Sequence, residues 1–231
     1  QQTDPQAGFF DNYSLSPLLE SLYFPDGQML EEVYETGSFL QSRMHQNHVS
    51  CTNCHEPHSS QLRVNGNGLC LQCHEPQKFQ RKEHFFHEVE SPGAQCVNCH
   101  MPQRTYMGVD TRRDHSFRIP DPVASVQLGV PNVCTQCHAN RDDRWAAAFI
   151  TQRTGRTEPL YPHAELLAAA RRNIASAAPE LLAYARDGSR PSMLRSIAAL
   201  ESGRFPSSQQ LDAVSAALQS TDPLIRMGAA S

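Results

Sequence analysis

The sequence contains no run of 18 apolar residues, so no transmembrane segment is expected. Aromatics are scarce, at 7% with a single tryptophan, and apolar residues make up 39%. That is lean for 231 residues, which ordinarily bury one large core or two small ones. Neither charge is in strong excess: 20 Lys and Arg stand against 24 Asp and Glu, net −4. This balance argues against a nucleic-acid partner, which selects for a basic face. The opening Gln1-Gln2-Thr3-Asp4-Pro5 carries no starting methionine, basic n-region or apolar h-region. A mature terminus left by signal-peptide cleavage is expected, and the absence of Cys at position 1 argues against a lipid anchor there.

What the sequence has instead is 8 Cys and 11 His. Every cysteine falls between Cys51 and Cys137. Charge and alanine divide the chain further. Residues 1–50 carry seven acids and one base, residues 51–145 ten of each, and residues 146–231 seven acids and nine bases. Alanine occurs four times in residues 1–145 and nineteen times in 146–231. These shifts predict an extended arm over 1–36, a cofactor domain over 37–145 and a helical segment over 146–231. The arm holds six aromatics, Phe9, Phe10, Tyr13, Tyr23, Phe24 and Tyr34, and leads into one short helix near Leu30–Ser42. The middle is punctuated by turns such as Asn65-Gly66-Asn67-Gly68 and Ser91-Pro92-Gly93, leaving room for short helices but not long strands.

Helices are predicted near Asp142–Gln152, His163–Ile174, Pro179–Arg186, Pro191–Leu200, Ser208–Gln219 and from Pro223 onward. Met193-Leu194-Arg195-Ser196-Ile197-Ala198-Ala199 recurs as Leu224-Ile225-Arg226-Met227-Gly228-Ala229-Ala230, at a spacing of the HEAT-like kind. The second copy stops at Ser231, inside its helix, so the natural chain is expected to continue.

Four Cys-x-x-Cys-His motifs carry the chemistry: Cys51–His55, Cys70–His74, Cys96–His100 and Cys134–His138. Two thiols three positions apart can each form a thioether to one vinyl group of a single haem, and the following imidazole then reaches the iron. The cysteines at issue are Cys51, Cys54, Cys70, Cys73, Cys96, Cys99, Cys134 and Cys137, and the proximal ligands His55, His74, His100 and His138. Zinc ribbons, thioredoxin-like pairs and disulfides also use Cys-x-x-Cys, but none needs the histidine. With 11 His in 231 residues, four such placements by chance come to roughly 5 in a million. No cysteine is left over, so four covalent haem c groups are expected.

Each iron needs a sixth ligand or keeps an open face, which separates a carrier from an enzyme. Seven histidines remain: His45, His48, His58, His84, His87, His115 and His163. His58, three positions after His55, cannot reach the far side of the same iron and would serve a neighbouring haem. His84 and His87 can serve two irons from one short helix. His115 can be oriented by Asp114 or by a backbone carbonyl. His45 and His48 are reserves, His163 reads as structural, and Met44 and Met107 are weaker candidates.

Residues Gly37 to Trp145 resemble the multihaem, tetrahaem c-type cytochromes that bacteria couple to HEAT- or TPR-like helical repeats. The stretches that carry the resemblance include Cys54-His55-Glu56-Pro57-His58-Ser59, His84-Phe85-Phe86-His87, Gly93–Pro102, Tyr106–Phe117 and Pro131–Cys134. It implies a mainly α fold with much irregular coil, in which a haem-packed cytochrome c domain precedes a HEAT-like helical segment. It also implies bis-histidine irons with His58, His84, His87 and His115 as distal ligands. Haem attachment of this type implies an extracytoplasmic location, in the periplasm or at the cell surface. Relatives of this broad sort include periplasmic shuttles and subunits of extracellular cytochrome filaments.

The first functional reading is therefore electron transfer through four closely spaced haems, between redox partner proteins and without catalysis. The second is a multihaem oxidoreductase with one open-faced iron acting on a small nitrogen or sulfur substrate. A refinement of the first is a homo-oligomer, assembled head to tail into a filament, because an acidic aromatic arm complements a slightly basic helical end. The mass of the denatured protein should exceed that of the polypeptide by four haems; three or fewer contradicts the motif reading.

Overall fold

The computed structural model describes residues 8, 12–13 and 15–230. Phe9 and Phe10 of the N-terminal segment and the final Ser231 lie outside the described residues. The structure is mainly α, and the chain divides into two compact units, one of residues 1–41 with 159–231 and one of residues 42–158. Among the described residues no helix is long and apolar enough to cross a membrane.

The first unit contains the helices Pro162–Arg171, Ala177–Arg186, Ser192–Ser202, Ser208–Leu218 and Pro223–Ala230. Pro162 occupies the first helical turn, where its missing N–H costs no hydrogen bond. The Ser207 hydroxyl accepts from Gln210 N at 3.1 Å and caps the following helix. Met193, Leu194, Ile197 and Ala198 form the buried stripe of Ser192–Ser202, and Leu224, Ile225 and Gly228 that of Pro223–Ala230. The two helices pack on each other. They meet at Gly228, where a Cβ would collide with the backbone oxygen and hydroxyl of Ser196. The recurrence in the sequence therefore corresponds to two helices with equivalent buried positions in mutual contact.

The described part of the N-terminal segment lies against these helices. Leu18, Tyr23 and Met29 are buried, and Tyr23 and Met29 form an isolated antiparallel bridge around the Asp26–Gly27 turn. Arg171 fastens the segment: its guanidinium donates to the carbonyls of Tyr23 at 2.8 Å and Leu18 at 3.0 Å and pairs with Glu201 at 3.3 Å. Both side chains of that pair are buried, at 7% and 1% exposure. His163 Nε2 donates to the Asp26 carbonyl at 3.1 Å, a structural use. The structure thus folds residues 18–41 onto the helices instead of holding them out as an arm, because their apolar side chains find a face there and their carbonyls find Arg171. The predicted helix near Leu30–Ser42 is the shorter Glu35–Phe39.

The second unit is built from short pieces. Its helices are Arg43–Gln46, Cys51–Cys54, Pro76–Phe79, Lys82–Phe85, Cys96–His100, Pro122–Leu128, Val133–Cys137 and Asp143–Thr154, with 3₁₀ turns at Gly66–Gln72 and Pro92–Ala94. An antiparallel hairpin joins β1, Gln103–Tyr106, to β2, Asp110–Arg113. Met107 and Gly108 turn it with φ of 49° and 74°. Helices of four or five residues are unstable alone. The unit compensates poorly with core: among its described residues the buried apolar side chains are Ala94, Tyr106, Pro122, Val123, Ala124, Val130 and Ala146. Composition places the start of the helical segment at 146, whereas the unit extends to 158. The reason is that Asp143–Thr154 packs on Pro122–Leu128 and buries Ala146 in doing so.

Replacing Arg171 with Ala should lower the stability of the first unit by about 1–3 kcal/mol, because two carbonyls lose their donor and Glu201 is left with Arg204 alone. Limited proteolysis within residues 15–41 should accelerate in parallel.

Candidate haem centres

Each motif lies on a short helical turn. Cys51–Cys54, Cys96–His100 and Val133–Cys137 are α-helical, and Cys70–Gln72 closes the 3₁₀ turn. Residues three apart share a helix face, so each pair of thiols points one way. The third and fourth starts are capped by asparagine. Asn132 Oδ1 accepts from Cys134 N at 3.0 Å while its amide donates to Asp143 at 2.9 Å. Asn67 acts from far back in the chain: its Oδ1 accepts from Cys96 N at 2.9 Å and its Nδ2 donates to Ala94 O at 2.8 Å. The turn that carries Cys70 is thereby clamped to the start of the third motif.

The motifs follow one another in space as in sequence. Burial raises the Cys54 thiol above its ordinary range, and Cys73 then Cys51 add to it. Cys70 and Cys96 share a hydrogen bond that raises the first and lowers the second. Burial lifts the Cys99 thiol to about 11, with Cys134 and Cys137 contributing. The helix Cys96–His100 packs on both Gly66–Gln72 and Val133–Cys137. All eight cysteines are free, and among the described residues no group of three or more His, Cys, Asp or Glu is gathered to hold a bare metal ion.

The histidines pair instead. His55 and His115 have ring centres 6.4 Å apart, His100 and His84 6.0 Å, and His138 and His87 6.0 Å. Two imidazole nitrogens bonded to one metal at about 2.0–2.1 Å put the ring centres about 6.3 Å apart, once about 1.1 Å from nitrogen to ring centre is added on each side. The three pairs therefore have the spacing of two axial ligands on one iron. Their hydrogen bonds agree. The Nδ1 atoms of His55, His100 and His115 bond the carbonyls of Ser60 at 2.9 Å, Arg118 at 2.7 Å and Arg113 at 2.9 Å, and His87 Nδ1 bonds that of Phe85. A carbonyl only accepts, so Nδ1 carries the proton and Nε2 keeps its lone pair for a metal. Burial, then the neighbouring His100, Arg81 and His74, hold the His84 imidazole below its usual range, again favouring the neutral form. These residues fit haem.

His74 differs. Its ring contact is the edge of Phe79 at 5.3 Å, and Phe79 contacts His84 at 5.2 Å. His58 is exposed and in none of the three pairs; its N–H and that of Ser59 donate to Glu56 at 2.9 and 2.7 Å. His45 and His48 are exposed, on and just after the helix Arg43–Gln46, with His48 at φ 62°. Met107 sits exposed at the hairpin tip.

Of the two orienters expected for His115, the structure uses the backbone carbonyl. His115 is oriented by the Arg113 carbonyl, while Asp114 accepts from Ser116 N at 2.8 Å. The Arg113 guanidinium reaches the third motif, donating to Val97 O at 3.2 Å, Met101 O at 3.0 Å and Asn98 Oδ1 at 3.1 Å. One residue thus locks the hairpin to the C-terminal end of Cys96–His100 and delivers His115 to the first motif. His87 lies just past the helix Lys82–Phe85, not on it. Trp145 stands 4.9 Å from His138 across the fourth motif.

Residues 45–79 match the doubled CXXCH motif, and residues 86–190 match cytochrome c552. These matches support a multihaem c-type cytochrome. They support covalently bound haem c and electron transfer by it. No curated protein and no solved structure matches the chain.

Replacing Arg113 with Ala should cost about 2–3 kcal/mol through the unpaired carbonyls at the end of the third motif. It should also loosen His115 without removing it, so a haem attached at Cys51–Cys54 would bind cyanide more readily than in the parent protein if His115 were its second ligand.

Proposed function

We propose that the chain is an electron-transfer protein carrying four bis-histidine haems, spaced in motif order. The observation that carries this reading is the set of three imidazole pairs at 6.0–6.4 Å. The first iron takes His55 and His115, the third His100 and His84, the fourth His138 and His87. The second takes His74 and, by its position after the first motif, His58, with His45 and His48 as reserves. Bound there, haem c supplies an iron that alternates between ferric and ferrous states. The protein's part is to close both faces of that iron and to fix ring orientation through the Nδ1–H bonds to carbonyls. Those bonds make the imidazoles better donors, and two such ligands favour the ferric state and a low potential. The HEAT-like helices serve as a scaffold or docking element, and the location is extracytoplasmic.

A second reading is favoured by one observation: His74 meets the edge of Phe79, where the other three motif histidines each face an imidazole. If the His74 iron keeps an open face, the protein is an oxidoreductase for a small nitrogen or sulfur substrate. Low-temperature electron paramagnetic resonance and carbon monoxide titration separate the two. Four low-spin irons and no carbon monoxide uptake support the carrier; one high-spin iron that binds carbon monoxide supports the enzyme. Replacing His115 with Ala should create one high-spin iron of raised potential. If the spin states do not change, His115 is not a ligand.

Self-association extends the first reading. Leu18, Tyr23 and Met29 are used within the chain, so the surface left for a second copy includes Tyr34 at 84% exposure. Light scattering at high concentration and low salt should show assemblies that Tyr34→Ser disperses. A monomer under those conditions removes the filament and leaves a shuttle.

A further inference from the structure

His84 and His87 are three positions apart yet face two different motif histidines, His100 and His138. The chain must turn sharply between them. It does so at Phe86, which adopts φ 59° and ψ 18°, a left-handed conformation that disfavours a side chain. The Phe86 ring is anchored against Phe149 at 5.6 Å, edge to face, with the Arg153 guanidinium 5.5 Å above it. The anchor lies on Asp143–Thr154, the same helix that sets Trp145 beside His138.

The turn drives the His87 ring directly onto Gly93, in the 3₁₀ turn Pro92–Ala94 that precedes the third motif. A Cβ at Gly93 would overlap Cγ, Cδ2 and Nδ1 of that ring. Gly93 is not among the residues with positive φ, so its backbone conformation does not demand glycine. The close approach does. We propose that Gly93 is a positioning residue for the fourth haem: the absence of a side chain there is what lets the His87 imidazole stand at the iron held by His138. The inference rests on the bis-histidine reading above and assigns a role to a residue that has no side chain to ligate a metal.

The test uses the full-length, haem-loaded protein and three variants. His87→Ala should give one high-spin iron in four; if it gives none, the ligation reading fails and the Gly93 inference with it. Gly93→Ala should retain four haems by mass and give the same single high-spin iron, with uptake of one carbon monoxide per chain. Added imidazole should return that iron to low spin. A Gly93→Ala protein whose irons all stay low-spin, alongside a high-spin His87→Ala protein, overturns the inference alone. Should Gly93→Ala fail to mature, Gly93→Ala combined with His87→Ala should regain four haems, because the obstacle is the ring itself. Failure of that double variant also overturns the inference.

Discussion

The second unit depends on imidazoles from one stretch of chain meeting imidazoles from another. Its helices are too short to persist alone, and its polypeptide buries few apolar side chains. What crosses between its segments is the pairing of His55 with His115, His100 with His84 and His138 with His87, supported by the Asn67 clamp and the Arg113 fork. A haem between each pair would add a large apolar plate where the side chains supply little. Ligation and core formation would then be one event, as in small metal-dependent domains.

The first unit shows the opposite economy. Its stripes of Leu, Ile, Met and Ala bury against one another without any cofactor, and the N-terminal segment completes them. Its buried ion pair, Arg171 with Glu201, gains from the two carbonyls that take further donors of the guanidinium. The chain therefore joins a region that folds by hydrophobic burial to one that relies on ligand geometry.

The motifs, the proximal histidines and the helices from Pro162 onward are legible in the sequence, because each rests on local spacing: Cys-x-x-Cys-His for the first two, apolar periodicity with Pro and Gly stops for the third. Much of what else matters is non-local and leaves a faint trace. Asn67 reads as part of a turn, yet its amide serves Cys96. Arg113 carries no local signal of a role, yet it caps a helix in another segment. Gly93 reads as turn punctuation, yet its neighbour decides it. The hairpin at Gln103–Arg113 is hidden by its charged and polar composition. Scattered aromatics among prolines and acidic residues make the N-terminal segment read as an extended arm, while its carbonyls answer to Arg171, far along the chain.

The pairings also fix an order in time. During synthesis the amino end emerges first. His84 and His87 precede their partners His100 and His138, so one imidazole of each pair is already present when those motifs appear. His115 instead follows His55, with two further motifs in between, so the first motif waits longest for its mate. The loop to be closed is shortest for the third motif, longer for the fourth and longest for the first. Closure entropy rises only with the logarithm of length, by about 0.6 kcal/mol per doubling. The sequence of closure is thus set less by entropy than by when each later half arrives: His100 completes the first pair to close, His115 the next and His138 the last.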